Sequence, residues 1–288
     1  MAVLAVQAIR KMRGGAQSQL MLGADGNLWV VKFQNNPQHV RVLANELIAT
    51  RLAAAIGLTV PATDIVEVTP WLVANTAGMH YELGQGQRAG YAPGLHFGSH
   101  FVGGLMPGQA VDYLPDQQLD EVRNLEEFAG ILALDKWTGN CNGRQAVFTR
   151  KPRERKYRAN FIDQGFCFNA GEWTFSDSPL RGVYARNRVY ARITDWKSFE
   201  PYLHRIEEIK PEVLWRIAET VPPEWYGGNE SELERLLEQM LKRRSQVREL
   251  IESFRNSDRA PFPHWAASSS VTVLKNLEDL GSNKDFVM

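Results

Sequence analysis

Apolar and polar positions alternate through much of the first hundred residues and recur at helical spacing along most of the rest. The stretch LMLGADGNLWVVKF, residues 20–33, has an apolar run, an Asp25-Gly26 turn pair and an alternating second run, and predicts a hairpin. In NNPQHVRVLANELIATRLAAAIGLTVP, residues 35–61, Asn36 suits a cap, Pro37 a first turn and Gly57 a left-handed terminus, which predicts a helix between them. Val40, Leu43, Leu47 and Ala54 fall on the face expected to pack on the sheet. ATDIVEVTPWLVA and GLHFGSHFVGG add two strand candidates, and the glycines that close the second place a lobe boundary near Leu105. Beyond it, QLDEVRNLEEFAGILALDKW predicts an amphipathic helix with Val122, Leu125, Ala129, Leu132 and Ala133 on its buried stripe. AVFTR and YRANFIDQGFCF, joined by KPRERK, predict a second hairpin. KPEVLWRIAETV and SELERLLEQMLKRRSQVRELIESF predict helices, the latter with Leu233, Leu237, Met240, Val247, Ile251 and Phe254 inward. From Asn256 the periodicity lapses and a partly ordered tail is expected.

The expected architecture is therefore α+β: a small β-rich N-terminal lobe over residues 1–105, a larger helical lobe over 106–255 and a tail over 256–288, with no internal repeat. A chain of 288 residues with 44% hydrophobic positions has ample material for such a core. Lys plus Arg and Asp plus Glu number 33 each, so no global charge draws the chain to nucleic acid or an anionic membrane. In MAVLAVQAIRKMR the basic residues follow the apolar run, the reverse of a secretory signal, and no run approaches the ~18 apolar residues that span a bilayer. The reading is a soluble, cytoplasmic protein. Cys141 and Cys167 are too few for a disulfide framework, and His96 and His100, four apart on a strand, make no helical metal face.

A β-rich lobe followed by a helical one is an arrangement that binds nucleotide between its halves, and the polar residues can be read against it. RGGAQSQ, with Gly14, Gly15 and Ser18, offers small residues and backbone N–H groups ahead of the first hairpin, as a phosphate-covering loop does, although a Gly-Gly pair is equally a plain turn. Lys32 in WVVKF sits in an apolar strand and needs a partner; Glu46, fourteen residues on in LANELIATRL, is placed to supply one, the pairing that holds nucleotide phosphates. Asp163 in NFIDQGFCF follows an apolar strand and precedes Gly165, a context that suits a magnesium ligand at a cleft or an Asp-initiated turn. Their order along the chain strengthens the joint reading.

On these segments, together with NELIATRLAAAIGLTVP and LDKWTGNCNGRQAVF, the sequence resembles the HipA-like kinases, a branch of the protein-kinase-like fold with affinities to the type II phosphatidylinositol 4-kinases. The resemblance spans about Arg13 to Phe168. It implies a two-lobed kinase-like fold, with ATP and Mg2+ as cofactors and a protein Ser/Thr or small-molecule phosphoacceptor as partner. It further implies that Lys32 contacts phosphates, Glu46 pairs with it, Asp163 binds the metal, and HFGSHFV, ending around Phe101, runs beside the adenine. Family members usually carry an Asn-x-Asp-Arg-His-type loop whose aspartate is the base, with an asparagine five residues later as second metal ligand. Aligned on Asn140, this chain has Asn142 and Val147 there, and neither does the same chemistry.

Two substitutes are open. Asp135 and Asn140 repeat the acid-to-amide spacing of five one step earlier, making Asp135 a candidate base and Asn140 a candidate metal ligand, although Asp135 also continues the helix GILALDKW. Alternatively, Asn142 and Arg144 position the acceptor while Asp163 and Lys32 supply the electrostatics. A pseudokinase that binds nucleotide without turnover, and adenylyl rather than phosphoryl transfer, are the competing readings. The six basic residues in Arg150 to Arg158 are expected to be a solvated hairpin tip rather than a nucleic-acid site, and the aromatic residues from Trp173 to Tyr190 to serve the core or a substrate platform.

Overall fold

A computed structural model describes residues 2–104 and 106–266 of the chain. The N-terminal part begins with β1 (Val3–Lys11), β2 (Gln19–Gly23) and β3 (Leu28–Lys32), then α1 (Val42–Ala55). It continues with β4 (Thr63–Val68), the short α2 (Pro70–Asn75), the hairpin of β5 (His80–Gly84) and β6 (Gln87–Gly90), and β7 (Gly94–His100). β7 pairs antiparallel with both β3 and β4, and β4 lies parallel to β1, so β1-β2-β3-β7-β4 close into a barrel. Its interior holds Met21, Trp29, Val31, Phe33, Val66 and Val68. Side chains on a strand alternate between faces, so the same run that puts Trp29, Val31 and Phe33 inward turns Lys32 outward, level with Phe97 of β7 and toward α1. The hairpin over residues 20–33 forms as expected, and it is preceded by β1, a strand that the sequence pattern does not predict.

α1 starts later than its punctuation predicts. The Asn36 side chain accepts the Gln38 N–H at 2.9 Å, closing a turn of its own, and the helix begins at Val42. Val40 therefore lies outside it, 76% exposed, and Ala54 is also exposed. The helix is buried on nearly all sides because it runs between the barrel and the second lobe, which erases the one-sided pattern. Its end is where the sequence puts it: Gly57, at φ +89°, turns the chain while Leu58 N–H returns to Ala53 C=O at 3.0 Å.

The second lobe comprises β8 (Ala110–Val111), α3 (Asp116–Leu119), α4 (Glu127–Thr138), the hairpin β9 (Gln145–Thr149) and β10 (Arg158–Ile162), and helices α5 (Tyr202–Glu207), α6 (Pro211–Ala218), α7 (Glu230–Arg243) and α8 (Val247–Arg255). The single amphipathic helix expected over residues 118–137 is broken in two. Asn124 leaves helical geometry to bond both backbone groups of Ala159, at 2.8 and 3.0 Å, and Arg123 N–H bonds Tyr157 C=O, so this segment completes the free edge of β10. α4 is then buried over its whole length, with α5, α7 and α8 packed around it and Trp137 Nε1 donating to Met240 C=O at 2.8 Å. Leu233, Leu237, Met240, Val247, Ile251 and Phe254 are all buried, as the periodicity predicts. The stretch after Asn256 packs as far as 266, with Phe262 against Phe254 and Phe199. Residues 267–288 of the expected tail, and Leu105 at the expected boundary, lie outside the described residues.

His96 is fully buried beside Phe33, His100 packs edge-on to Trp29, and among the described residues no group of three His, Cys, Asp or Glu side chains is placed to hold an ion. His96 Nδ1 accepts the Gln34 N–H at 3.2 Å. Burial lowers its pKa to about 4, so between that value and the ordinary ~6.5 the unfolded chain binds a proton that the folded chain refuses. Stability accordingly falls as pH drops through this window, by on the order of 3 kcal/mol from this group, and is fully restored above it. Urea unfolding at several pH values is expected to show a shallower acid dependence for His96→Gln than for wild type; parallel curves would contradict the assignment.

Candidate functional site

Lys32, the last residue of β3, is 8% exposed and cannot be left uncompensated in so apolar a setting. Its Nζ bonds Glu46 Oε1 of α1 and, at 2.7 Å, Asp163 Oδ1 just after β10. Two of the three sequence-predicted partners are brought together by α1 packing on the barrel, and the third arrives on the second lobe. The loop carrying Asp163 is clamped by α1. Glu46 accepts the N–H groups of Gln164 at 3.1 Å and Gly165 at 2.9 Å. Asn45 donates to the carbonyls of Gly165, Cys167 and Ala170 at 2.8–3.0 Å and accepts from Trp173 Nε1 at 2.8 Å. A Cβ at Gly165 would stand 2.6 Å from Val42 Cγ2 and 3.1 Å from Glu46 Oε1, so only glycine lets α1 approach this closely. Asp163 itself holds φ +64°, a region that costs a non-glycine residue roughly 1–2 kcal/mol, and this network maintains it.

One ammonium serves two carboxylates, and the surplus negative charge is divided unequally. Burial alone would depress Lys32, but Glu46 and Asp163 outweigh it and keep the ammonium charged. Burial pushes Glu46 up despite Lys32, whereas at Asp163 the ammonium overrides burial and holds the carboxyl below its ordinary value. The cluster therefore presents an ionised Asp163 whose second oxygen faces the open side, where Gln145 Nε2 approaches it at 2.6 Å. Magnesium commonly takes one or two carboxylates and completes its shell with water and phosphate oxygens. A lone ionised aspartate with an amide beside it fits that pattern, and the lack of a three-acid cluster among the described residues does not conflict with it.

Asp135, Asn140 and Arg144 form a second cluster, wholly inside the lobe. Arg144 bonds Asp135 with Nη2 and, at 2.9 Å, with Nε; both residues are under 5% exposed. Asn140 Nδ2 donates to Asp135 at 2.9 Å while its Oδ1 accepts Asn142 N–H at 3.0 Å, so neither its amide nor the Asp135 carboxylate is turned to the open side. Arg144 Nη1 goes on to Ile162 C=O at 2.8 Å and Gln164 Oε1 at 3.0 Å, one residue either side of Asp163. Asn142 is exposed and, among the described residues, its Oδ1 accepts only Gly143 N–H, at 2.8 Å.

The glycine loop closes through Met12 N–H to Ser18 C=O at 2.8 Å and Gln17 N–H to Gly14 C=O at 3.1 Å, leaving Gly14 and Gly15 exposed at its tip and Ser18 buried at its base. Gln17 is locked to Glu82 of β5 by paired 2.8 Å bonds, and Asn36 Nδ2 reaches Ala16 C=O at 3.3 Å. Phe101 N–H extends the ladder to Leu28 C=O, with its ring over Gly103 and under Arg10. Gln145, Asn45 and Lys136 escaped the sequence reading. Lys136 donates to the carbonyls of Ser178, Pro179 and Arg181 at 2.8–3.4 Å, tying the segment after Trp173 to α4. A polar residue inside an apolar helix, as Asn45 and Lys136 are, was the available signal; for Gln145 there was none.

The sequence profile of one family, described as HipA-like kinase, matches residues 5–258. Among solved structures, the chain is similar to the Helicobacter pylori proinflammatory kinase CtkA, at 13% identity and a TM-score of 0.53 over 89% of this chain and 99% of that one. It is also similar to a Golgi casein kinase, at 12% identity and 0.49 over 92% and 77% of the chains, and to HipA of Shewanella oneidensis MR-1, in a complex with HipB and operator DNA, at 14% and 0.47 over 89% and 68%. No curated protein matches the chain. The CtkA likeness shows the two-lobed protein-kinase-like fold, in agreement with the barrel lobe and helical lobe described above. With its profile matching nearly the whole described chain, the protein belongs to the HipA-like kinases, a family of phosphotransferases.

Proposed function

We propose that the protein transfers the γ-phosphoryl group of ATP, bound with Mg2+ between the lobes, to a serine or threonine hydroxyl of another protein, in a cytoplasmic setting. The observation that carries this reading is the meeting of Lys32, Glu46 and Asp163 from three separate segments. Phosphoryl transfer is chiefly a matter of positioning and charge stabilisation. In this reading Lys32 turns from Asp163 to the phosphates while Glu46 keeps it aligned, and Asp163 holds the cation, which neutralises phosphate charge when bound. The N–H groups around Gly14 and Gly15 cover the phosphates from above, and the strand ending at Phe101 flanks the base. No charge excess on the whole chain recruits nucleic acid, and part of the basic turn is spent internally, with Arg150 stacked on Tyr157 and Arg158 3.8 Å from Glu127 Oε1. Among the described residues no helix is long and apolar enough to cross a membrane.

The proton acceptor is the weak point of the site. Asn142 stands where the family has its aspartate, and an amide cannot take up the acceptor proton; loss of a general base slows such reactions by about 10²–10⁴. In this reading Asp135 positions the loop rather than taking the proton, a role supported by Arg144 and Asn140 bonding its carboxylate. The reading is therefore a slow kinase in which Asn142 orients the acceptor, with Arg144 holding the loop in place. Asn142 and Val147 favour a second reading, a pseudokinase that binds nucleotide and signals by interaction.

Lys32→Met and Asp163→Ala are expected to abolish Mg-ATP-dependent phosphate transfer to a general protein acceptor or to the chain itself, measured with ATP labelled on the γ-phosphate; label retained only from the α-phosphate would mean adenylyl transfer instead. Asn142→Asp is expected to raise turnover about 10-fold or more by restoring a base. No turnover in either wild type or Asn142→Asp, with nucleotide still bound, would favour the pseudokinase. Asp135→Asn strands a buried guanidinium and is expected to cost about 3–5 kcal/mol of stability. Unchanged urea unfolding together with lost turnover would instead make Asp135 the base.

A further inference from the structure

The face of β9 that looks toward Asp163 carries Gln145, Val147 and Thr149, because Ala146 and Phe148 alternate with them and are buried in the core. Val147 occupies the position where the family resemblance places a metal-binding asparagine. It has no donor atom. Gln145 lies two residues earlier on the same face, opposite Ile162 in the β9–β10 register and so next to Asp163. Its side chain is one methylene longer than asparagine, and it ends 2.6 Å from Asp163 Oδ2. That contact is the only hydrogen bond its side chain makes among the described residues, and the residue is exposed, so packing does not account for its direction.

We infer that Gln145 supplies through Oε1 the second protein ligand for the divalent cation, in partnership with Asp163 Oδ2, and so replaces the amide missing at Val147. The inference rests on the nucleotide-and-metal reading proposed above. Without a cation, two facing oxygens repel and the amide presents Nε2 to the carboxylate, as observed. The terminal torsion of glutamine is broad and roughly two-fold, so a half-turn exchanges Nε2 for Oε1 without moving the backbone. Neighbouring ligand oxygens of an octahedral ion with ~2.1 Å bonds sit about 3 Å apart, close to the 2.6 Å separation already set here. The half-turn involves only Asp163 Oδ2 and leaves the Lys32–Glu46 pair in place, so cation binding and the Lys32–Glu46 alignment are compatible. A merely supporting donor at this position would need Nε2 to stay on the carboxylate, and the two roles part on replacement by an acid.

The test is Mn2+ titration of the full chain in saturating ADP, followed by the electron paramagnetic resonance signal of free Mn2+, with ADP binding in the absence of metal as a second readout. Gln145→Ala is expected to weaken Mn2+ binding by ~10-fold or more, at least the loss that removal of an outer partner of a metal ligand brings, while metal-free ADP binding stays as in wild type. Gln145→Glu, which keeps the acceptor and adds charge, is expected to bind Mn2+ at least as tightly as wild type. Gln145→Ala binding Mn2+ as wild type does, or Gln145→Glu binding as weakly as Gln145→Ala, overturns the inference and leaves the kinase reading standing. Wild type binding neither ADP nor Mn2+ overturns both. Should Gln145→Ala lose its cooperative thermal transition, Gln145→Asn, one methylene short of Asp163, takes its place with the same expected loss.

Discussion

One buried ammonium organises the site. Lys32 has lost nearly all its water, and a lysine so placed keeps its charge only if carboxylates replace the solvent. Those carboxylates come from α1 and from the turn after β10, so the requirement to neutralise one side chain draws together the barrel, the helix beside it and the second lobe. Two acids on one base leave a net negative centre. Glu46, the more deeply buried, is pushed toward its neutral form, while Asp163 at the open edge stays ionised.

The backbone around Asp163 is gripped from both sides. Glu46 and Asn45 hold the N–H and C=O groups that follow it, and Arg144 holds Ile162 C=O and Gln164 Oε1 around it. Arg144 in turn is fixed by Asp135, itself anchored in a helix buried on every side. A left-handed aspartate is thereby held without any glycine freedom at its own position, and the adjacent Gly165 allows α1 to come close enough to do the holding. Asn142 joins this scaffold only through its backbone N–H to Asn140 Oδ1; its side chain meets Gly143 N–H and takes no part in holding Asp163.

The lobe order, both hairpins, the Gly57 terminus and the inward residues of α7 and α8 were legible because each rests on local chemistry: turn pairs, a left-handed stop, a repeat of 3.6. The start of α1 and the break between α3 and α4 were not. In both places an asparagine prefers a bond outside the helix: Asn36 to a turn of its own and Asn124 to the edge of β10, thirty-five residues away. Helical burial on all sides also flattened the one-sided pattern that the α1 and α4 expectations relied on.

Sequence order alone determined that Lys32 lies on an apolar strand, that a helix carrying Glu46 follows it, and that Asp163 ends a strand before Gly165. These are properties of short segments, set by alternation and capping. Tertiary structure alone decided which polar groups meet. It folded Asp135 inward onto Arg144, turned Asn140 to the same carboxylate, and brought Gln145 to Asp163 across a hairpin. Whether a carboxylate serves a reaction or a scaffold depends on its partners and its access to solvent, and both are set by packing between segments that the linear order leaves far apart.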